Sequence, residues 1–395
     1  GDRAFCEGVQ HIAFHVYTLQ PPKKDGSIHV WLNYGLHFNR NMTWWGQLHA
    51  FTDYLSRCAA IFQQGKFVAD FAYYTGDVMP YECPDRVAMR PALPWGCNAD
   101  LVNTDVLVNR LSVKDGRLLL PNGISYRYLV MPPTQKTIDP ASLRRIMELI
   151  DAGATVVLGP RPVSAIGLAN YPASDREIEA LADEIWGKEE LPGSGERSLG
   201  RGRVVWGRDL AGLLKADGIS QDIEITAGGV PEDFNWIHYK VGERDVYFIS
   251  NQSDEEKKVD VGFRVSGMSP ELWDPVWGTR RVLPEFSAGK DITTVPLQFA
   301  ARQSCFIVFS PAKATPPKNS TARNFPTTKE LMDLDGSWEV TFDPRWGGPG
   351  KVVFDKLKDW TQRPEEGIRY YSGTATYYKT FDLSEEIASK RSISS

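Results

Sequence analysis

His37-Phe38-Asn39-Arg40-Asn41-Met42-Thr43-Trp44-Trp45 joins a basic, amide-rich loop to two adjacent tryptophans. Amides and a guanidinium bond hydroxyl groups, and an indole face covers the C–H side of a pyranose ring. That mixture is the chemistry of a carbohydrate-contacting loop. Just upstream, His11-Ile12-Ala13-Phe14-His15-Val16-Tyr17-Thr18-Leu19-Gln20-Pro21 alternates as a strand does. The alternation puts His11 and His15 on one face, with polar groups at the strand's end. A neutral imidazole there can bond a sugar hydroxyl; the competing role is a satisfied core histidine. Trp45 and Trp31 are expected to pack. His15, His11, His37, Asn39, Arg40 and Trp44 are expected to contact substrate.

Rigid elements must hold these side chains. The loop opens into a helix carrying Leu48, Phe51, Leu55, Cys58 and Phe62 at three- and four-residue steps, one apolar stripe. Gly65 stands where a C-cap glycine belongs. Residues 66–230 alternate strands and helices. Phe67 to Tyr73 and Tyr128 to Met131 are predicted strands, Asp100 to Leu111 a helix, and Val113 to Leu120 a hairpin turned by Asp115-Gly116. Asp139-Pro140 caps and starts a helix running through Ile150, and Ala154 to Leu158 is the next strand. This is a doubly wound α/β layout. No Gly-x-Gly-x-x-Gly follows any strand, so no dinucleotide site is expected. Residues 231–312 read as a β-sandwich, with Trp236 to Val241 and Asp245 to Asn251 about a Gly242-Glu243-Arg244 turn. Residues 313–330 are rich in Pro, Thr, Lys and Asn and read as a linker, and residues 331–395 begin a further β domain.

The His11 and Phe38 stretches together resemble the end of the catalytic barrel in the α-L-rhamnosidases of glycoside hydrolase family 106. Those proteins carry a Gly-Val-Asn-His…His…Gln-Pro strand and then a Phe-x-Arg-Asn-x-Thr-Trp loop. The matching residues here are Gly8-Val9-Gln10-His11, His15, Gln20-Pro21 and Phe38 to Trp45, with Gln10 standing in place of the family's Asn. The likeness continues through Gln63 to Asp70, Asp115 to Leu118, Leu334 to Val340 and Tyr371 to Tyr377. It implies that residues 1–65 are the C-terminal part of a (β/α)8 barrel. It implies a glutamine-amidotransferase-like domain at 66–230 and a truncated jelly-roll sugar-binding domain at 331–395. It further implies inverting chemistry, a rhamnose-containing glycan as substrate, a calcium ion near the catalytic acids of the parent enzyme, and a secreted or periplasmic bacterial setting.

Composition sets the outer bounds. At 395 residues the chain holds about two to four domains. A net charge of −5 gives no reason to expect nucleic acid or an anionic membrane as partner. No apolar run is long enough to span a bilayer, and no signal peptide is visible. The cysteines show no metal-ligand spacing; Cys83 and Cys97 could pair in an oxidising compartment, but free thiols are the expected state. Both ends look cut, which suggests a piece of a larger enzyme.

Inverting hydrolysis needs two carboxyl groups roughly 6.5–9.5 Å apart. The acids available in residues 1–65 are Asp2, Glu7, Asp25 and Asp53, and surface or capping roles are expected for all of them. The catalytic pair is therefore expected on earlier barrel strands, which would leave this chain inactive by itself. No oxygen-rich spacing resembles a calcium site, and no other cofactor is evident. Two rival functions remain: a non-catalytic carbohydrate-binding or scaffold fragment, and a family 2-type β-galactosidase-like glycosidase. The second lacks its Asn-Glu acid motif here.

Overall fold

A computed structural model describes residues 1–15, 17, 38–40, 42, 44–76, 84–311, 322–327, 329–330 and 332–382. The chain divides into two units, Gly1–Ile12 with Tyr54–Phe325, and Ala13–Asp53 with Pro326–Ser395.

The first unit contains a six-stranded sheet in the order Gly195–Leu199, Gly202–Trp206, Thr155–Val157, Tyr128–Val130, Phe71–Tyr74, Ala99–Val102. All neighbours are parallel except the Gly195–Leu199 edge. Strand residues alternate between two cores, as a period of two requires. Ala72, Leu129, Val156 and Val204 pack with the helices Thr104–Asn109, Pro140–Asp151 and Ala173–Ile185. Phe71, Tyr128, Val157 and Val205 face the helix Leu210–Ala216. Both faces are covered, so these strands are apolar without a polar side. Asp139 accepts from the backbone N–H groups of Ala141 and Ser142 at 2.9 and 3.1 Å, and Pro140 fills the first turn, so that helix begins where the sequence places it. Asp115 and Gly116 have φ of 51° and 73°, the paired positive values of a tight hairpin turn joining Ser112–Lys114 to Arg117–Leu119.

Two further sheets form the sandwich. One runs Lys66–Phe67, Phe234–Val241, Arg244–Asn251, Ser304–Ser310, Ser269–Asp274, Thr279–Val282; the other runs Ile223–Ala227, Lys257–Phe263, Thr293–Phe299, Ser287–Ala288. Trp236, Tyr247, Ile249 and Ile307 point between the sheets. Tyr239, Phe248, Phe306 and Val308 point the other way and pack on Phe5, Leu55, Cys58 and Phe62. That second cover explains the unbroken apolar run Val246–Ile249.

Four local expectations change. The Asp100 to Leu111 helix is a strand, Ala99–Val102, followed by the short helix Thr104–Asn109; Asn103 caps it by accepting from Val106 N–H at 3.0 Å. An Asx cap in mid-segment marks a helix start, so the residues before it are free to pair as a strand. Phe67 to Tyr73 is two strands: Lys66–Phe67 joins the sandwich, and only Phe71–Tyr74 enters the parallel sheet. Gly65 is three residues beyond the helix Leu48–Phe62 and is not left-handed. A Cβ there would lie 2.7 Å from Tyr239 Cβ, so close approach requires the glycine. His11 to His15 forms no ladder; the described pairing nearby is an isolated parallel bridge between Tyr17 and Phe38.

Between the parallel sheet and the sandwich lies a buried charged cluster. Asp70 accepts from Arg127 Nε at 3.0 Å and from Arg264 at 3.0 Å on each oxygen. Arg264 is also 3.6 Å from Asp222. His238 places Nδ1 2.8 Å from Asp222 and Nε2 3.1 Å from Asp245, and its ring stacks on Tyr247 with centroids 3.9 Å apart. Tyr247 donates its hydroxyl to Asp222 at 2.9 Å. A histidine flanked by two carboxylates satisfies both only as the doubly protonated cation. Burial opposes that charge, but Asp222 and Asp245 outweigh it and hold the His238 pKa above its ordinary 6.5. Burial likewise opposes ionised Asp222, yet His238, Arg264 and the Tyr247 hydroxyl hold its pKa below the ordinary 3.8.

In the second unit, Lys351–Phe354, Trp338–Phe342 and Ala375–Tyr378 form an antiparallel sheet with Trp338–Phe342 at the centre. Val340, Phe342, Phe354, Ile368 and Tyr371 make its core, and Trp360 stands edge-on to Phe342.

The buried cluster makes stability depend on pH. The His238 contribution is complete below its unfolded pKa, about 6.5, and is lost as pH rises through its higher folded value. The Asp222 contribution is complete above its unfolded value, about 3.8, and is lost as pH falls through the lower folded one. Their joint window is therefore about pH 4 to 6.5. The melting-temperature gap between the parent and His238→Gln should be widest in that window and shrink toward pH 9. A gap that is constant from pH 5 to 9 would show that folding leaves the His238 pKa unshifted, and one that widens as pH rises would show that His238 is neutral in the fold.

Candidate functional site

The aromatic loop belongs to the second unit. Phe38 is buried; Phe14 meets it with centroids 4.6 Å apart, and Trp44 stands edge-on at 6.1 Å and 77°. Phe14 also meets Phe51 at 6.1 Å, and Tyr17 stands edge-on to Trp45 at 5.9 Å. Trp44 is half-buried, while Phe14, Tyr17 and Phe51 are each about 40% exposed or more. The loop thus displays ring surface that water covers at a cost. Arg40 and His15 are exposed beside these rings in sequence. Asn39 is not: it is 1% exposed and its carbonyl accepts from Met42 N–H at 3.2 Å, so it braces the loop. His11 lies in the first unit, exposed, with Nδ1 3.4 Å from Gln63 Nε2. His37, Trp31 and Asp25 lie outside the described residues. Trp45 is half-buried like Trp44 and has its ring contact with the exposed Tyr17.

Two of the acids of residues 1–65, Asp2 and Glu7, have structural partners. Asp2 accepts from the Tyr54 and Ser250 hydroxyls. Burial, with Cys58 and Asp2 nearby, pushes the Tyr54 phenol above its ordinary range. Glu7 accepts from Arg3 Nε at 2.8 Å on the surface. Among the described residues no three His, Cys, Asp or Glu side chains converge, so the residues present do not fit the implied calcium ion. Cys97 is free and buried; Cys83 lies outside the described residues. Burial pushes the Cys58 thiol up to about 12, far from the reactive thiolate.

The first unit also holds a cavity of about 650 Å³ that the sequence did not announce. Arg86 is in its wall, 5.1 Å over the Trp236 ring. Its guanidinium donates to Asn98 Oδ1 at 2.8 Å and to the Trp95 and Cys97 carbonyls. Among the described residues no carboxylate pairs with it, and burial lowers its pKa to about 10. Gln10, the departure from the family pattern, also lines the cavity and donates to the Tyr239 hydroxyl at 3.0 Å. A Pro-Asp-Arg run at Pro84-Asp85-Arg86, just before a Pro-rich loop, was the available signal, and it is too common to be read alone.

Comparison with known proteins supplies the remaining findings. A family model for glycoside hydrolase family 106, described as alpha-L-rhamnosidase, matches residues 1–286. A rhamnosidase from Novosphingobium sp. PP1Y superposes with a TM-score of 0.76 at 27% identity, over 88% of this chain and 32% of that one. A protein of Formosa agariphila with the provisional name beta-glucuronidase is 34% identical over 315 residues, 79% of this chain and 25% of its own length. The chain therefore spans about a quarter to a third of the length of these relatives.

Asp2 should behave as a structural acid. Asp2→Ala leaves the Tyr54 and Ser250 hydroxyls without their acceptor, and chemical denaturation should show a loss of about 1–3 kcal/mol. Unchanged stability would free Asp2 for another role.

Proposed function

The chain belongs to glycoside hydrolase family 106, the alpha-L-rhamnosidase family, and from that membership we propose that it forms part of an inverting α-L-rhamnosidase acting on terminal α-L-rhamnose of a glycan. The observation that carries this reading is the Phe38–Trp45 loop, where half-buried Trp44 packs edge-on to Phe38 and the Arg40 guanidinium is exposed, with His15 exposed earlier in the chain. In this reading Trp44 covers the apolar face of the sugar, and His15 and Arg40 bond its hydroxyls. Asn39 acts indirectly, by fixing the loop. His11 and His37 stay as contacts proposed from the resemblance alone. Asp2 and Glu7 are committed to hydroxyl and arginine partners. In this reading the acid and base lie on barrel strands outside residues 1–395, as the resemblance implies. No step is routed through calcium. The parallel-sheet domain, the sandwich and the three-stranded sheet at 338–378 serve as accessory domains, the last as part of a jelly roll.

A second reading is favoured by the 34% identity to the protein with the beta-glucuronidase name. A glucuronide would present a carboxylate, and Arg40 would then form a charged pair. The two readings separate in the intact enzyme that carries these residues, assayed with aryl α-L-rhamnoside and aryl β-D-glucuronide. The rhamnosidase reading expects rhamnoside turnover, with β-L-rhamnose as the first anomer seen by proton NMR. His15→Ala should lower kcat/KM by about 1–3 kcal/mol at unchanged melting temperature. Glucuronide turnover without rhamnoside turnover would favour the second reading. Release of the α-anomer would contradict inversion.

A further inference from the structure

The sandwich sheet that carries Phe248 and Phe306 turns one face away from the sandwich core, and helices sit on part of it. The helix Asp2–Cys6 lies over the strands Phe234–Val241 and Arg244–Asn251, with Phe5 edge-on to Phe248 at 6.0 Å. The helix Leu48–Phe62 comes next. Its Phe62 meets Phe248 and Phe306 at 5.5 and 5.4 Å, and Arg57 donates to the Pro275 and Val276 carbonyls. Beyond Arg57, among the described residues, no helix is seated on the last two strands, Ser269–Asp274 and Thr279–Val282.

The register shows what this open corner presents. Trp273 pairs with Phe306 on one side and Arg280 on the other, and Glu271 pairs with Val308 and Val282. Cross-strand partners share a face, so these side chains continue the surface on which Phe62 sits. Val282 is 63% exposed, and Trp277, in the connecting turn, is 77% exposed. The turn is held: Asp274 Oδ1 accepts from the Val276 and Trp277 N–H groups at 2.8 and 3.1 Å, and Gly278, with φ of 66°, donates to the Asp274 carbonyl. Charge marks the same area. The Arg244 guanidinium lies 5.9 Å over the Trp273 ring, and Arg280 is exposed. Among the described residues neither arginine is in an ion pair, and Glu271 is turned to Trp273 Nε1 at 2.8 Å.

Spacing sets what fits there. Neighbouring strands are about 4.8 Å apart and packed helices about 8–10 Å, so side-by-side helices fall about two strands apart. Asp2–Cys6 and Leu48–Phe62 take the first two positions, and the third falls on Ser269–Asp274 and Thr279–Val282.

We propose that this corner docks an amphipathic helix from the part of the enzyme outside residues 1–395, with apolar side chains on Val282, Trp273 and Trp277 and a carboxylate facing Arg280. The inference rests on reading the chain as part of a barrel enzyme, whose helices stand side by side around the strands. The sandwich then braces the barrel wall on one sheet face and the parallel sheet elsewhere.

Val282→Cys, made both in chain 1–395 and in the intact enzyme, reports whether the corner is covered. Val282 is exposed here, and the native thiols among the described residues are buried or half-buried. After subtraction of the unsubstituted protein's signal, maleimide should label the chain rapidly and the intact enzyme at least tenfold more slowly. A genetically encoded benzophenone residue in place of Trp277 identifies the occupant. Its photo-crosslinks should run within one molecule to a single helix outside residues 1–395. Equal labelling of the two forms, slow labelling already in the chain alone, crosslinks to residues within 1–395, or crosslinks between two copies would each overturn the proposal. None of these readouts involves hydrolysis, so failure of the rhamnosidase assignment and failure of this docking surface are told apart.

Discussion

A carboxylate taken out of water must be met by charge, and Asp70 and Asp222, each 2% exposed, are met by one shared guanidinium, that of Arg264. Asp70 leads into the strand Phe71–Tyr74 of the parallel sheet, and Arg264 follows the sandwich strand Lys257–Phe263. Asp222 leads into Ile223–Ala227, and its carbonyl accepts from Arg264 N–H at 2.9 Å. The pairing therefore fixes where the parallel sheet sits on the sandwich. Apolar packing alone tolerates sliding; a buried charge pair, with Arg264 Nη2 3.0 Å from both Asp70 oxygens, does not. Burying charge need not add net stability over an apolar substitute, but removing one partner costs about 3–5 kcal/mol because the other is stranded. The cluster reads as a device for register.

The same cluster shapes the cavity. The segment Pro94 to Asn98 runs between them. Gly96 carbonyl accepts from Asp222 N–H at 2.7 Å, and Asn98 carbonyl accepts from Asp70 N–H at 3.2 Å. On its other side the segment is held by Arg86 through the Trp95 and Cys97 carbonyls, and by Trp236 Nε1 on Trp95 carbonyl at 3.0 Å. A Cβ at Gly96 would sit 2.1 Å from the Ile223 carbonyl, so only glycine allows this approach. Once the segment is pinned from both sides, Asn98 has no freedom to turn its amide elsewhere.

Local signals in the sequence were dependable where one short-range effect dominates. The Leu48–Phe62 helix, the Asp139-Pro140 start and the Asp115-Gly116 turn each follow from a few adjacent residues. The glycosidase family was legible from the His11 and Phe38 motifs, because those residues stand close together in the chain. Signals failed where a partner far away decides. Phe67 looks like part of the strand beginning at Phe71 until Tyr239 claims it for the sandwich. Nothing around Asp70 announces Arg264, and His238 reads as one polar position in a strand until Asp222 and Asp245 flank it. Asn39 was expected to touch substrate because amides do so, yet burial gives it a bracing role. Arg86 and Asn98 sit in a loop without periodicity, where pattern carries no information about what lies opposite.

The account rests on Asp70 and Arg264 acting as one coupled unit. A double-mutant cycle with Asp70→Asn and Arg264→Met, followed by chemical denaturation, measures that directly. Contacting charged pairs couple by about 0.5–3 kcal/mol, and this buried pair should lie in the upper half of that range. Additivity within about 0.3–0.5 kcal/mol, the behaviour of independent sites, would contradict the claim that this pair sets the register of the two layers.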